Sequence, residues 1–239
     1  MHASDSNSPS SKRNHNVGDW KRVVDVLVRA IIFGHLLPRE HLVEDEIMER
    51  FDTSRHAVRR AFEELQRLGL VVRASNRGTW VRSYTLQEIE GLYEVRATLE
   101  RQAALRMPLP AKAALIKALA HIQEQHQEAS RHNDLLALFY LNNQFHETLY
   151  ESCGNLQLAE AIKLYSLQTH PIRVRYFTDE PWREEVIRQH WNMIELLKGS
   201  DNEALADACT SHIEPPKQQY LKLYALNDYG NGAPQASHP

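Results

Sequence analysis

Two groups of residues in this chain have types and spacings suited to chemistry. The first is built on histidine, of which the 239 residues include 13. Asn142 and His146 are four positions apart and share one face of a helix. His190 and His212 fall in the last two helix-like segments. Three helices of a bundle can direct such side chains to one interior point, where imidazole suits zinc, nickel, copper or iron. Buried, hydrogen-bonded histidines or surface ones are the plainer alternative. His121, His126 and His132 read as solvated helix positions, and Tyr93, Tyr140 and Tyr165 as core. The second group is the run Ser54-Arg55-His56-Ala57-Val58-Arg59-Arg60. Arginine at the start of a helix pairs bidentately with guanine edges in a major groove, worth about 1–3 kcal/mol of discrimination per good contact. Ser54 and the helix N-terminal amides suit phosphate oxygens. A solvated basic helix face is the alternative for any one such helix.

The elements that must position these residues follow from periodicity. Val24, Leu27, Val28, Ile31 and Ile32 trace an amphipathic helix that Gly34 and Pro38 end. A second short helix fits 43–50, with Ile47 and Phe51 inward. Asp52, Thr53 and Ser54 offer turn and N-cap chemistry for a third helix, in which Val58, Phe62, Leu65 and Leu68 form the apolar stripe and Gly69 the end. Two β-prone runs, 71–73 and 79–82, flank a polar turn holding Arg77 and Gly78, which are placed to approach the minor groove or the backbone. Three helices and a two-stranded hairpin make a winged helix-turn-helix. From residue 86 onward the expected helices are 86–106, 111–131, 133–152, 156–177, 181–199 and 201–226. The fold class expected is mainly α: an N-terminal winged helix-turn-helix followed by a C-terminal all-helical antiparallel bundle. The expected division is a disordered arm at 1–17, a DNA-binding domain at 18–83, a sensing domain at 84–227 and a disordered tail at 228–239.

Charge supports that division. The net charge is -3, but residues 1–83 carry 14 Lys/Arg against 11 Asp/Glu, and residues 84–239 carry 14 against 20. Nucleic-acid contact is therefore expected in the first part. No apolar run approaches the roughly 18 residues of a membrane span, and no signal-peptide pattern opens the chain. Cys153 and Cys209 have no zinc-finger spacing, as suits a reducing cytoplasm.

Residues 23–81 resemble the DNA-binding domain of the GntR family of bacterial regulators. The resemblance rests on Gly34, Leu36, Leu37 and Pro38, on Leu42 and Glu44, on Ser54-Arg55 and Val58-Arg59, on Leu65, on Gly69-Leu70-Val71, and on Gly78. It implies that Ser54, Arg55, His56, Arg59, Arg60, Arg77 and Gly78 face DNA. Arg39 and Asp52-Thr53 stand where the family usually has Gly and Gly-Val. Arg60 stands where it usually has an acid, and so adds positive charge beside the DNA face. The rest is similar to the helical FCD domain of the FadR subclass, in 92–100, 145–155 and 188–213. That resemblance implies a divalent metal, zinc or nickel, on an Asp and three His. Here the positions are Asn142, His146, His190 and His212, and the amide brings no negative charge. It also implies that Arg96 faces the ligand pocket, where a guanidinium clamps a carboxylate with two parallel hydrogen bonds. Arg173 and Arg175 are further candidates, a surface salt bridge being the alternative for each.

The function expected is a ligand-responsive repressor, cytoplasmic and homodimeric, that binds operator DNA and senses a small organic acid. One alternative is a metal-dependent enzyme with an accessory DNA-binding domain, since three histidines leave zinc a position for water. Against it, the chain has no HExxH motif, no Gly-rich phosphate loop and no nucleophile elbow. The other alternative is a regulator whose pocket is metal-free.

Overall fold

The computed structural model describes residues 19–74, 78–173 and 178–228. The chain opens with helix α1 (Asp19–Ile32), followed by strand β1 (His41–Leu42) and helices α2 (Glu44–Phe51) and α3 (Arg55–Arg67). Val23, Leu27, Val58, Phe62 and Leu65 are fully buried where α1 packs on α3. Ser54 caps α3, its hydroxyl accepting from the Ala57 N–H at 3.2 Å. Strands β2 (Val71–Ala74) and β3 (Gly78–Val81) form the wing.

The sheet has three strands in the order β1-β3-β2, all antiparallel, rather than the two expected. The extra strand is two residues long, too short for any alternation to show. It is set by its neighbours: the Arg39 N–H donates to the Val81 carbonyl, and the Val81 N–H donates to the Glu40 carbonyl, both at 2.9 Å.

Arg39 and Asp52 both have left-handed backbone, with φ of 69° and 46°. These are two of the positions at which the chain departs from the glycines of its relatives. Only glycine adopts that conformation without a steric penalty, and aspartate tolerates it better than arginine.

The helical part comprises α4 (Leu86–Arg106), α5 (Ala113–Arg131), α6 (Leu135–Glu151), α7 (Leu156–Gln168), α8 (His170–Arg173), α9 (Glu180–Leu196) and α10 (Asn202–Asp228). Thr85 and Glu88 close a capping box at the start of α4. Asp134, Asn155 and Asp179 cap α6, α7 and α9. The helix expected over 156–177 is broken after Gln168. Pro171 lacks the N–H that a continuous helix needs there, and 174–177 lie outside the described residues. Among the described residues no helix is long and apolar enough to cross a membrane.

Three apolar clusters hold the molecule together. The first is shared: Ala129, Leu138 and Phe139 of the helical part lie in the same cluster as Val23, Leu27, Val58 and Phe62.

Candidate DNA-reading face and sensor cavity

Helix α3 presents Arg55, His56, Arg59 and Arg60 to solvent. Two of these cations are held by α2. Arg55 pairs with Asp45 at 2.5 Å and with Glu44 at 3.5 Å, and the Arg59 Nε–H donates to both Glu44 oxygens at 3.1 and 3.2 Å. All four side chains keep access to water, so the pairs are screened and exchangeable. Arg60 sits elsewhere: its guanidinium lies 4.3 Å over the Trp20 ring, at the start of α1. The arginine that replaces an acid thus has a local partner.

Gly78 opens β3 with φ of 119°. A Cβ there would collide with the Nε2 atom of His41, whose ring stacks on Trp80 at 4.9 Å. Both the backbone angle and the close approach require glycine. Arg77 lies outside the described residues.

The second site is inside the bundle. Helix α6 supplies Asn142 and His146, α9 supplies His190, and α10 supplies His212. The three imidazoles come together as expected, each with a ring nitrogen within 4.8 Å of the others. Their ring centres are 4.9, 4.9 and 5.1 Å apart. Imidazoles bound to one zinc with bonds of about 2 Å and tetrahedral angles place their ring centres about 5 Å apart.

Two residues that were not foreseen orient these rings. His190 Nδ1 meets Gln123 Oε1 at 2.7 Å, and His212 Nδ1 meets Gln189 Oε1 at 2.6 Å. A carbonyl oxygen accepts, so both rings carry their proton on Nδ1 and turn a lone pair on Nε2 inward. His190 Nε2 is buried without a partner. His212 Nε2 faces His146 Nε2 at 3.1 Å, and His146 Nδ1 is again buried and unpartnered. Burial holds all three well below the ordinary histidine pKa, His212 at about 3. They are neutral, as metal ligation requires. The donor set and its spacing fit a divalent transition metal.

His126 is not solvated as expected. It is 1% exposed on α5, one turn beyond Gln123, with both ring nitrogens unpartnered and its pKa lowered to about 4 by burial. His170 is buried as well. By contrast, Tyr140 is an exposed residue rather than core. His126, Asn142, His212 and Arg173 line one cavity beside the cluster.

Two arginines are buried near it. Arg96 donates from Nε and Nη2 to Glu100 at 2.9 and 2.7 Å, and from Nη1 to the Thr169 hydroxyl at 2.9 Å. The other Glu100 oxygen accepts from the Tyr150 hydroxyl at 2.7 Å. The clamp expected to hold a ligand carboxylate therefore holds an internal one. Arg173 differs. Its Nη2 donates to Asn143 Oδ1 and to the Ser166 hydroxyl, each at 3.3 Å, and its Nε is buried without a partner. Among the described residues no carboxylate lies within ion-pair distance of it, and it reaches the cavity that Arg96 does not line. Arg175 lies outside the described residues.

A winged DNA-binding head joined to a helical bundle with an interior polar cavity defines a ligand-responsive DNA-binding regulator. Residues 20–81 match the gntR family of bacterial regulatory proteins, and residues 91–215 match the FCD domain. The chain belongs to the GntR family, in the branch with an FCD sensor. Such proteins are DNA-binding transcription factors and not enzymes. The chain is 26% identical over 208 residues to the HTH-type transcriptional repressor RspR of Escherichia coli strain K12, covering 87% of this chain and 91% of that protein. It is 25% identical over 190 residues to the HTH-type transcriptional regulator YdhC of Bacillus subtilis strain 168, covering 78% and 84%. A crystal structure of a GntR transcriptional regulator from Rhodococcus sp. RHA1 shares the fold. Its TM-score is 0.69 at 24% identity, over 87% of this chain and all of that one.

Proposed function

We propose that the protein is a cytoplasmic, homodimeric repressor whose operator binding is set by a small organic acid. Residues 18–83 are the DNA-binding domain and 84–227 the sensor. Ser54, Arg55, His56 and Arg59 read or grip operator DNA, with Gly78 shaping the wing and Arg60 and Arg77 adding charge. The two half-sites lie on one face of the duplex, about one helical turn or a multiple of it apart. In the sensor, His146, His190 and His212 hold zinc or nickel, with Asn142 beside them. Bound metal supplies Lewis acidity for gripping an oxygen ligand. Arg173 contacts the acid, and Arg96 supports the seat by holding Glu100.

The observation that carries this reading is the collection of unsatisfied buried polar atoms around one cavity: His190 Nε2, His146 Nδ1, both His126 nitrogens and Arg173 Nε. Buried polar atoms without partners are rare, and a cluster of them marks a place where something else binds. A ligand acts on DNA binding only through different affinity for the two arrangements of the heads.

Elemental analysis of the purified protein and of His146→Ala tests the metal. About one zinc or nickel per chain in the first, and its loss in the second, is the expected result. A metal-free protein that still responds to an acid in an operator gel shift would point to the metal-free pocket, which the neutral amide of Asn142 favours.

A further inference from the structure

The cavity is built without an anion. Its histidines are uncharged, and Asn142 offers an amide. Glu100 is the one buried carboxylate among the described residues, and Arg96 and Tyr150 occupy both its oxygens. Glu147, in the cleft on the other side of His146, is paired with Lys163 at 3.2 Å. Arg173 is 8% exposed. Burial, and then the charge of Arg96, lower its pKa to about 10, so it stays charged at neutral pH. A divalent metal placed here adds two positive charges to that guanidinium. A buried charge without a counter-charge is strongly unfavourable, so three together require compensation.

We propose that the cavity takes its metal and its effector as one mutually dependent pair, and that the effector is an acid with at least two carboxylates. One carboxylate meets the metal, supplying the charge that Asn142 lacks. The other meets Arg173, in the bidentate geometry guanidinium favours. His126 faces the same space and offers one donor and one acceptor to a hydroxyl on the acid. The proposal rests on the metal-and-acid reading above. Linkage makes the effect reciprocal: the factor by which the acid tightens the metal is the factor by which the metal tightens the acid.

The test is a zinc titration of the full-length, chelator-stripped protein by calorimetry. It is run in chloride, in acetate, and in succinate, malate or tartrate, with free zinc corrected for complexation by the acid. At least one dicarboxylate is expected to tighten zinc tenfold or more, acetate by less, and the same factor is expected in the acid titration with zinc present. Asn142→Asp supplies the missing charge from the protein itself. It is expected to tighten zinc at least tenfold with no acid present and to shrink the acid's effect. Arg173→Gln is expected to reduce the dicarboxylate effect to the acetate level while zinc stoichiometry and helical content stay unchanged. Zinc that binds equally in chloride and in every acid overturns the proposal but leaves the metal site standing. So does Asn142→Asp without any gain. Acid that binds at full strength without zinc overturns it in favour of the metal-free pocket. Absence of zinc binding under every condition overturns both this proposal and the metal reading.

Discussion

The hydroxyl of Tyr84 donates to the backbone carbonyl of Gln168 at 2.6 Å, joining the segment that leaves the wing to the last turn of α7. Thr169, the next residue, takes the hydrogen bond from Arg96, and Arg173 lies one turn further on. Tyr84 is 2% exposed, and burial pushes its pKa up to about 12, so it is a neutral donor. Tyr84→Phe leaves the Gln168 carbonyl buried without that donor. A stability loss of about 1 kcal/mol is expected, measured by urea unfolding. Operator affinity without effector should change little, while its response to zinc plus acid should shrink.

Glu44 competes with DNA for Arg59, and with Asp45 it competes for Arg55. Glu44→Gln should raise operator affinity, because phosphate or base no longer displaces a carboxylate. Arg55→Ala and Arg59→Ala should each weaken binding, by about 1–3 kcal/mol if the lost contact is a bidentate base contact. Fluorescence anisotropy at fixed salt reads both directions. If affinity is unchanged in both arginine variants, the reading face assigned to α3 is wrong.

Arg39 has a left-handed backbone. Arg39→Gly relieves a penalty of about 1–2 kcal/mol and gives back roughly 0.5–1 kcal/mol in chain entropy. A net gain of a few tenths to about 1 kcal/mol is expected in the unfolding midpoint. A loss of stability would mean that the Arg39 side chain contributes more than its exposed 3.4 Å contact with Ser83 suggests.

His126 sets a pH dependence in the metal-free protein. Its folded pKa is about 4 against an ordinary 6.5. Between those values the unfolded chain binds a proton that the folded chain refuses, so stability falls as pH falls. The slope from this one residue approaches about 1.4 kcal/mol per pH unit. Above pH 6.5 it contributes nothing, and below about 4 its loss is complete. His126→Leu should flatten the denaturation midpoint between pH 6.5 and 4.5.

Much of the head was legible because its physics is local. Ser54 as a cap, Gly69 as a terminator and the stripe of Val58, Phe62 and Leu65 are set by neighbours within a few residues. The short strand at His41 was not, because pairing with Trp80 across the sheet decides it. In the bundle, the convergence of His146, His190 and His212 was anticipated from helix spacing and family likeness together. Gln123, Gln189 and His126 were missed. A glutamine or histidine on an amphipathic helix has the same local pattern whether it faces water or a buried ring, and only the packing of α5 against α9 separates the two. Arg96 was given the ligand because nothing in spacing distinguishes an outside carboxylate from Glu100 one turn away.

The apolar cluster that Val23 and Phe62 share with Leu138 and Phe139 has a consequence for modularity. A fragment ending at residue 83 would leave one wall of its interior facing water. The head is therefore not a cassette that can be moved intact to another sensor. A chimera would have to import the outer face of α6, or replace that wall with polar side chains.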